Sequence, residues 1–377
     1  MQWQSGYYQL THDLRAMAFQ YPELNQVIKF TSFLSGSKLR LTFTNFYGSQ
    51  TLKFDQILIA DNDNFDHAVP VTINHQSELM IPAGQAKVTD PVTFTVQAGQ
   101  SVYIKVIANQ AQTYCDFAVT YDPTWVNASM GRHANHQPPL NDRWLHGHGW
   151  VSLSMMEVWT QAQPQVIEFT GDSLVETGMV AAELFKKTIV EKPEQITWLV
   201  TGISGNRLLT DAPQNKNPER TYGLSLLHRY GQLGHRPYEP SFTLVSIGAN
   251  DLLVPFDNPL GQEQIPSLDR LKIGYRALES IIESRQSEVK ILTLPPIRLP
   301  RKTGPWTTND IQIDQVRRSL NAWLRSNPWV IDACDSITDD EGNRKPEVDF
   351  GDNLHLSPYG GQLMGQAIWL QLESAFQ

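Results

Sequence analysis

The chain has 377 residues, 41% hydrophobic and 18% charged; at about 150 residues per domain this suggests two or three domains, and the balance excludes a disordered chain and a coiled coil. The formal net charge is −9 with no long run of Lys or Arg, which argues against nucleic acid or an anionic membrane as partner. Two cysteines, Cys115 and Cys334, exclude a disulfide scaffold and a multi-Cys zinc site, and both read as free thiols.

The N-terminal segment Met1-Gln2-Trp3-Gln4-Ser5-Gly6 has no basic n-region and no apolar h-region, and no stretch approaches the length of a membrane span. The expectation is a soluble, cytoplasmic protein. From Lys38 to Thr44 (KLRLTFT) polar and apolar residues alternate, and Asn45-Phe46-Tyr47-Gly48 makes a turn. Thr51–Ile59 (TLKFDQILI), Val92–Val96 and Ser101–Ile107 alternate in the same way. Such runs are half-buried antiparallel strands, and several in succession imply a β-sandwich. Trp150–Trp159 reads as a last strand returning to it.

After Gln161 the texture changes. Val166–Thr170, Ile196–Val200, Phe242–Ile247, Val289–Leu294 and a segment near Val330 read as strands. Between and after them helical spacing is expected at Glu176–Val190, 219–232, 266–286, 309–326 and from Pro358 to the end. Alternating strands and helices make a parallel sheet whose sites lie at the carboxyl ends of the strands. The polar link Gln161-Ala162-Gln163-Pro164 divides the chain into domains at 1–162 and 163–377.

Four segments occupy those strand ends and the final loop. Gly171-Asp172-Ser173 puts a hydroxyl at a strand-to-helix turn, although Asp172 or Ser173 could equally cap the helix. Gly202-Ile203-Ser204-Gly205-Asn206-Arg207 carries two glycines that let backbone approach a ligand and present an N–H, or make an ordinary turn. Gly248-Ala249-Asn250-Asp251 offers an amide donor at Asn250, with Asp251 read as a cap. Asp352-Asn353-Leu354-His355 offers a histidine with an acceptor three residues upstream, a spacing common by chance. Each segment is weak alone. In this order they supply a nucleophile, oxyanion donors and an oriented base, the parts acyl transfer needs. The G-x-S-x-G elbow of α/β-hydrolases is excluded because Val175 stands two residues after Ser173.

These four segments resemble the blocks of the GDSL, or SGNH, hydrolase family, over about 164–377. The resemblance implies an α/β fold, a flavodoxin-like parallel five-stranded sheet flanked by helices, here preceded by an all-β, jelly-roll-like sandwich. It implies Ser173 as nucleophile, His355 as base, Asp352 as its partner, and the N–H groups of Ser173 and Gly205 with the Asn250 amide as oxyanion hole. The run GISGNRLL and the preceding sandwich are most similar to a secreted, carbohydrate-esterase-like branch, where Asn is expected at the position of Val200. The implied activity is a serine esterase on short-chain acyl esters, including acetyl groups on carbohydrates, with no cofactor and a small-molecule or oligosaccharide ester as substrate. A lipase or lysophospholipase, or a non-catalytic glycan-binding protein with a relic site, are the alternatives. Arg207, Leu253, Pro296 and Trp306 are candidate substrate-binding residues, with core packing or a structural ion pair as the competing roles.

His133, His136, His146 and His148 crowd one region, and His146-Gly147-His148 has the look of a divalent-metal site such as zinc. The paired Asp and Asn-His runs of such sites are missing, so no metal is expected. His228 and His235 are rival bases that lack a nearby Asp and read as surface residues. The first domain is read as shaping the site in preference to acting as a tethered glycan-binding module.

Overall fold

The computed structural model describes residues 1–143, 146–213, 218–231, 237–257, 264–299 and 305–373. The strands used below are β1 (Gln2–Gln9), β2 (Leu24–Thr31), β3 (Gly36–Asn45), β4 (Gln56–Ala60), β5 (Ser101–Ala108), β6 (Val126–Gly131), β7 (Leu153–Thr160), β8 (Gln165–Gly171), β9 (Ile196–Gly202), β10 (Phe242–Ser246), β11 (Glu288–Leu292) and β12 (Val330–Ile331). The helices are α1 (Ser173–Glu176), α2 (Met179–Glu191), α3 (Leu226–Gly231), α4 (Ala249–Asp257), α5 (Leu268–Glu283), α6 (Thr308–Leu324) and α7 (Pro358–Leu372). They form two compact units. The first comprises Met1–Val166, Phe185–Val200 and Gln214–Thr221; the second comprises Ile167–Leu184, Thr201–Pro213 and Tyr222–Gln377.

The first unit is β-rich. β7 pairs antiparallel with both β3 (Leu41↔Met156) and β1 (Trp3↔Trp159), and β1 pairs parallel with β9 (Tyr8↔Leu199). That sheet is therefore mixed, and the purely parallel five-stranded sheet expected from the sequence is corrected on this point. A second sheet runs β6-β2-β5-β4 with antiparallel neighbours (Ile28↔Ile104). Aromatic rings join the two sheets: Tyr7 on β1 stacks on Phe30 on β2, with centroids 4.7 Å apart. Phe33 meets Phe185 at 4.9 Å, and Phe185 meets Trp198 of β9 at 5.8 Å.

Two expected strands break where period-two counting is blind. Thr51–Ile59 splits at Asp55: Leu52–Phe54 pairs with Leu79–Ile81, whereas β4 pairs with β5. Trp150–Trp159 splits at Ser152, whose φ of +65° redirects the chain. His148–Val151 pairs with Asp116–Thr120, and β7 joins the mixed sheet. The sequence reading missed β1, β2 and β6 because both faces are covered and polar residues sit inside. Gln26 on β2 is buried, its amide donating to the Val151 carbonyl at 2.9 Å and accepting from the Val151 N–H at 3.0 Å.

In the second unit β8, β10, β11 and β12 run parallel, with Thr170↔Val245, Val245↔Ile291 and Ile291↔Val330 in register. Helix α5 buries Leu271, Gly274, Tyr275, Leu278 and Ile282, the spacing of one helical face. Ser267 caps its first turn, and Thr307 with Asp310 forms a capping box on α6. Helix α7 approaches α2 closely because it carries glycines: a Cβ at Gly361 would lie 2.5 Å from the Met179 carbonyl oxygen. The helix expected at 219–232 is instead a 3-10 turn at Pro218–Tyr222 followed by α3. The helix expected at Glu176–Val190 begins later, at Met179, behind the separate turn α1. Helix α4 was not anticipated, since it carries Pro255. No helix among the described residues is long and apolar enough to cross a membrane.

Candidate active site

Ser173 is the first residue of α1, directly after β8. The turn is possible because Gly171 has φ +152° and no side chain; a Cβ there would lie 1.8 Å from the Ser246 carbonyl oxygen. Asp172 is the N-cap, accepting from the Leu174 N–H at 3.0 Å. The cap and the serine at the strand end are thus adjacent residues. Burial pushes the Asp172 carboxyl up to about 7, and its second oxygen has no hydrogen-bond partner among the described residues.

His355 lies in the loop before α7. Its Nε2 is 2.8 Å from Ser173 Oγ, and its Nδ1 is 2.6 Å from Asp352 Oδ2. An ionised Asp352 only accepts, so Nδ1 carries the proton and Nε2 is left to accept from the serine hydroxyl. Burial would raise the Asp352 pKa, but the hydrogen bond and charge of His355, with the N–H groups of Leu354 and His355, outweigh it and hold the carboxyl well below the usual carboxylate range. Arg344 braces the same loop. Its guanidinium donates to the carbonyls of His355 (2.7 Å), Leu354 (2.8 Å) and Pro296 (3.0 Å) and pairs with Asp349.

The loop after β9 is built around Gly205, which has φ +77° and packs on the Tyr222 ring. Asn250, on the first turn of α4, donates from its amide to the Asn206 carbonyl at 3.0 Å, which leaves one amide hydrogen uncommitted by that bond. Asp251, expected as a cap, is instead the third residue of α4, and its two oxygens accept from the N–H groups of Leu208 and Leu209 at 2.7 and 3.0 Å. The sequence reading also passed over Asn206, whose side chain donates to the carbonyls of Tyr222 and Leu224 and accepts from Arg229. Its place between two recognised glycine-loop residues was the available signal. The turn after β8 and the loop before α7 therefore bring Ser173, His355 and Asp352 together within the second unit.

The profile of the GDSL-like lipase/acylhydrolase family matches residues 169–363. The chain belongs to this family. No curated protein sequence matches it. Among solved structures, this GDSL-family chain is similar to an acetylxylan esterase from Geobacillus stearothermophilus (17% identity, 56% of this chain and 95% of that one, TM-score 0.40). It is also similar to a GDSL-like lipase from Bacteroides thetaiotaomicron (15% identity, 56% of this chain and 89% of that one, TM-score 0.38).

The remaining candidates of this GDSL-family chain fall in different places. Arg207 is buried and donates to the Asp211 carbonyl at 3.0 Å, a brace within its own loop. Leu253 is buried in the second unit's hydrophobic core, which makes it a packing residue. Pro296 and Trp306 do share a cleft, lined also by Arg298, Asn343 and Asn353, with the Arg298 guanidinium 5.5 Å from the Trp306 ring centroid. His228 is corrected: its Nδ1 lies 2.7 Å from Asp211 Oδ2, so it does have an acid partner, on a part-exposed surface. His235 lies outside the described residues. His148 is buried with Nε2 3.3 Å from the Arg143 carbonyl oxygen, whereas His133, His136 and His146 are exposed.

Proposed function

We propose that this GDSL-family chain is a serine ester hydrolase that cleaves short-chain acyl esters, with acetyl groups on small alcohols or oligosaccharides as its substrate class. The observation that carries the reading is the hydrogen-bonded run Ser173 Oγ, His355 Nε2, His355 Nδ1, Asp352 Oδ2 at 2.8 and 2.6 Å. Ser173 attacks the ester carbonyl while His355 takes its proton, and Asp352 stabilises the imidazolium. The oxyanion forms against the N–H groups of Ser173 and Gly205 and the free amide hydrogen of Asn250. Each such donor contributes roughly 10²–10³ in turnover. His355 then protonates the leaving alcohol, and water, activated by the same base, releases the acid. The cleft at Pro296 and Trp306 is proposed to hold the alcohol side, because it is walled by the loop that carries His355.

The test is a series of p-nitrophenyl esters of rising acyl length, plus acetylated sugars, with the parent and Ser173→Ala in parallel. Turnover that falls with acyl length and drops at least ~10³-fold in the variant is expected. Equal rates for the two proteins would refute the assignment.

A further inference from the structure

We propose that Glu176 is a positioning residue for this acyl transfer: its carboxylate ties the Ser204–Gly205 segment to the helical turn that carries Ser173, and so fixes the Gly205 N–H relative to the nucleophile. The inference rests on the ester-hydrolase reading above.

Helix α1 is only four residues long, too short to hold its own geometry by helical hydrogen bonding. Ser173 stands at its start and Glu176 at its end, one turn apart. The Glu176 side chain is 3% exposed and is turned towards the neighbouring loop. There its Oε2 accepts from the Ser204 N–H at 2.8 Å and from the Ser204 hydroxyl at still closer range. Two donors on one carboxylate oxygen are charge-assisted bonds, roughly twice as strong as neutral ones. They fix both the backbone and the side chain of Ser204, the residue whose carbonyl shares a peptide plane with the Gly205 N–H.

The surroundings leave that plane little freedom. A Cβ at Gly202 would lie 2.6 Å from the Glu176 nitrogen and 2.9 Å from the Asp172 carbonyl oxygen, so the loop is pressed directly on α1. On its far side Gly205 packs against Tyr222, where a Cβ would lie 2.1 Å from the ring. The Asn206 N–H closes the turn on the Ile203 carbonyl at 3.0 Å. Glu176 is thus the side-chain tie between the turn that presents the hydroxyl and the turn that presents an oxyanion donor. Displacements of the order of 1 Å in such an arrangement cost up to about 10²-fold in rate.

The experiment uses the full chain with p-nitrophenyl acetate and compares the parent with Glu176→Ala, Glu176→Gln and Ser204→Ala, with Ser173→Ala as control. Glu176→Ala is expected to lower kcat by about 10–100-fold while KM stays within about twofold and the acidic limb of the pH profile stays in place, because His355 and Asp352 are untouched. Glu176→Gln keeps an acceptor oxygen and should recover to within about threefold of the parent. Ser204→Ala keeps the N–H bond and loses the hydroxyl bond, so its kcat should fall between the two. A folded Glu176→Ala with parental kcat overturns the proposal. So does a parallel loss of kcat and melting temperature that Glu176→Gln does not rescue. Should Glu176→Ala fail to fold, parental kcat in Ser204→Ala overturns it instead. If the parent hydrolyses no faster than Ser173→Ala, the hydrolase reading fails and this inference falls with it; an active parent beside an unaffected Glu176→Ala refutes this inference alone.

Discussion

Asp172 caps the turn that carries Ser173 and Asp352 bonds His355, and the two carboxyls differ in electrostatic character. Asp352 accepts three hydrogen bonds and is held ionised, whereas Asp172 is buried with one oxygen unpartnered among the described residues and is pushed up to about 7 from an ordinary value of 3.8. Environment, not residue type, sets the difference. The raised value has a signed consequence for stability. Between about pH 4 and pH 7 the unfolded chain has released this proton and the folded chain has not, so stability falls as pH rises across that window. Asn at this position caps a helix as well as Asp does and cannot ionise. Asp172→Asn is therefore expected to gain melting temperature relative to the parent as pH goes from 5 to 8. A difference that stays constant over that range would contradict the assignment. The sequence put Ser173, His355 and Asp352 forward as one set, through the order of the segments, their positions and the family resemblance. Their protonation states were not legible there, since those depend on which atoms end up dry.

At the scale of elements, the loops around the site are held by side chains from elsewhere in the second unit. Asp251 on α4 holds Leu208 and Leu209, Asn206 bridges to Tyr222 and Leu224, and Arg344 clamps the His355 loop. Arg344 engages three carbonyls and one carboxylate with a rigid fork that an ammonium cannot reproduce. Arg344→Lys is expected to lose about 1–3 kcal/mol of stability through unsatisfied carbonyls. The same change should lower kcat on p-nitrophenyl acetate, because the base loop loses its brace. Urea denaturation and initial rates check both, and parental values in each would count against the clamp. Helices α5 and α6 were readable because one apolar face and a capping residue are local signals. β1, β2 and α4 were not, because buried Gln and Asn on the strands and an internal Pro on the helix run against those signals. Arg344 gave no local cue, since its partners lie 5–48 residues away.

At the scale of the whole molecule, the compact units do not follow the chain linearly. The stretch Phe185–Val200 belongs with the first unit, where Phe185 and Trp198 enter the aromatic cluster of Tyr7, Phe30, Phe33 and Trp125. A fragment of 163–377 would strip those rings of their partners and leave the β9 edge without β1. It is expected to be insoluble or molten when expressed alone, as read by circular dichroism and near-ultraviolet signal. A cooperatively folded fragment would show the cluster to be dispensable. Large aromatic side chains lost from a core typically cost about 3–5 kcal/mol each, a large fraction of the total stability of a domain. The amino-acid sequence by itself determined the change from a β-rich to an α/β texture, the order of the site segments and the family they indicate. Those properties reside in local periodicity and in short runs of residues, which are fixed before folding. Tertiary structure alone decided that the central sheet is mixed, that β9 pairs with β1, that Leu253 and Arg207 are buried, that Glu176 bonds Ser204 and that Arg344 bonds the loop of His355. Each of these depends on contacts between distant residues, and a buried polar group is committed only when folding brings its partner within hydrogen-bond distance.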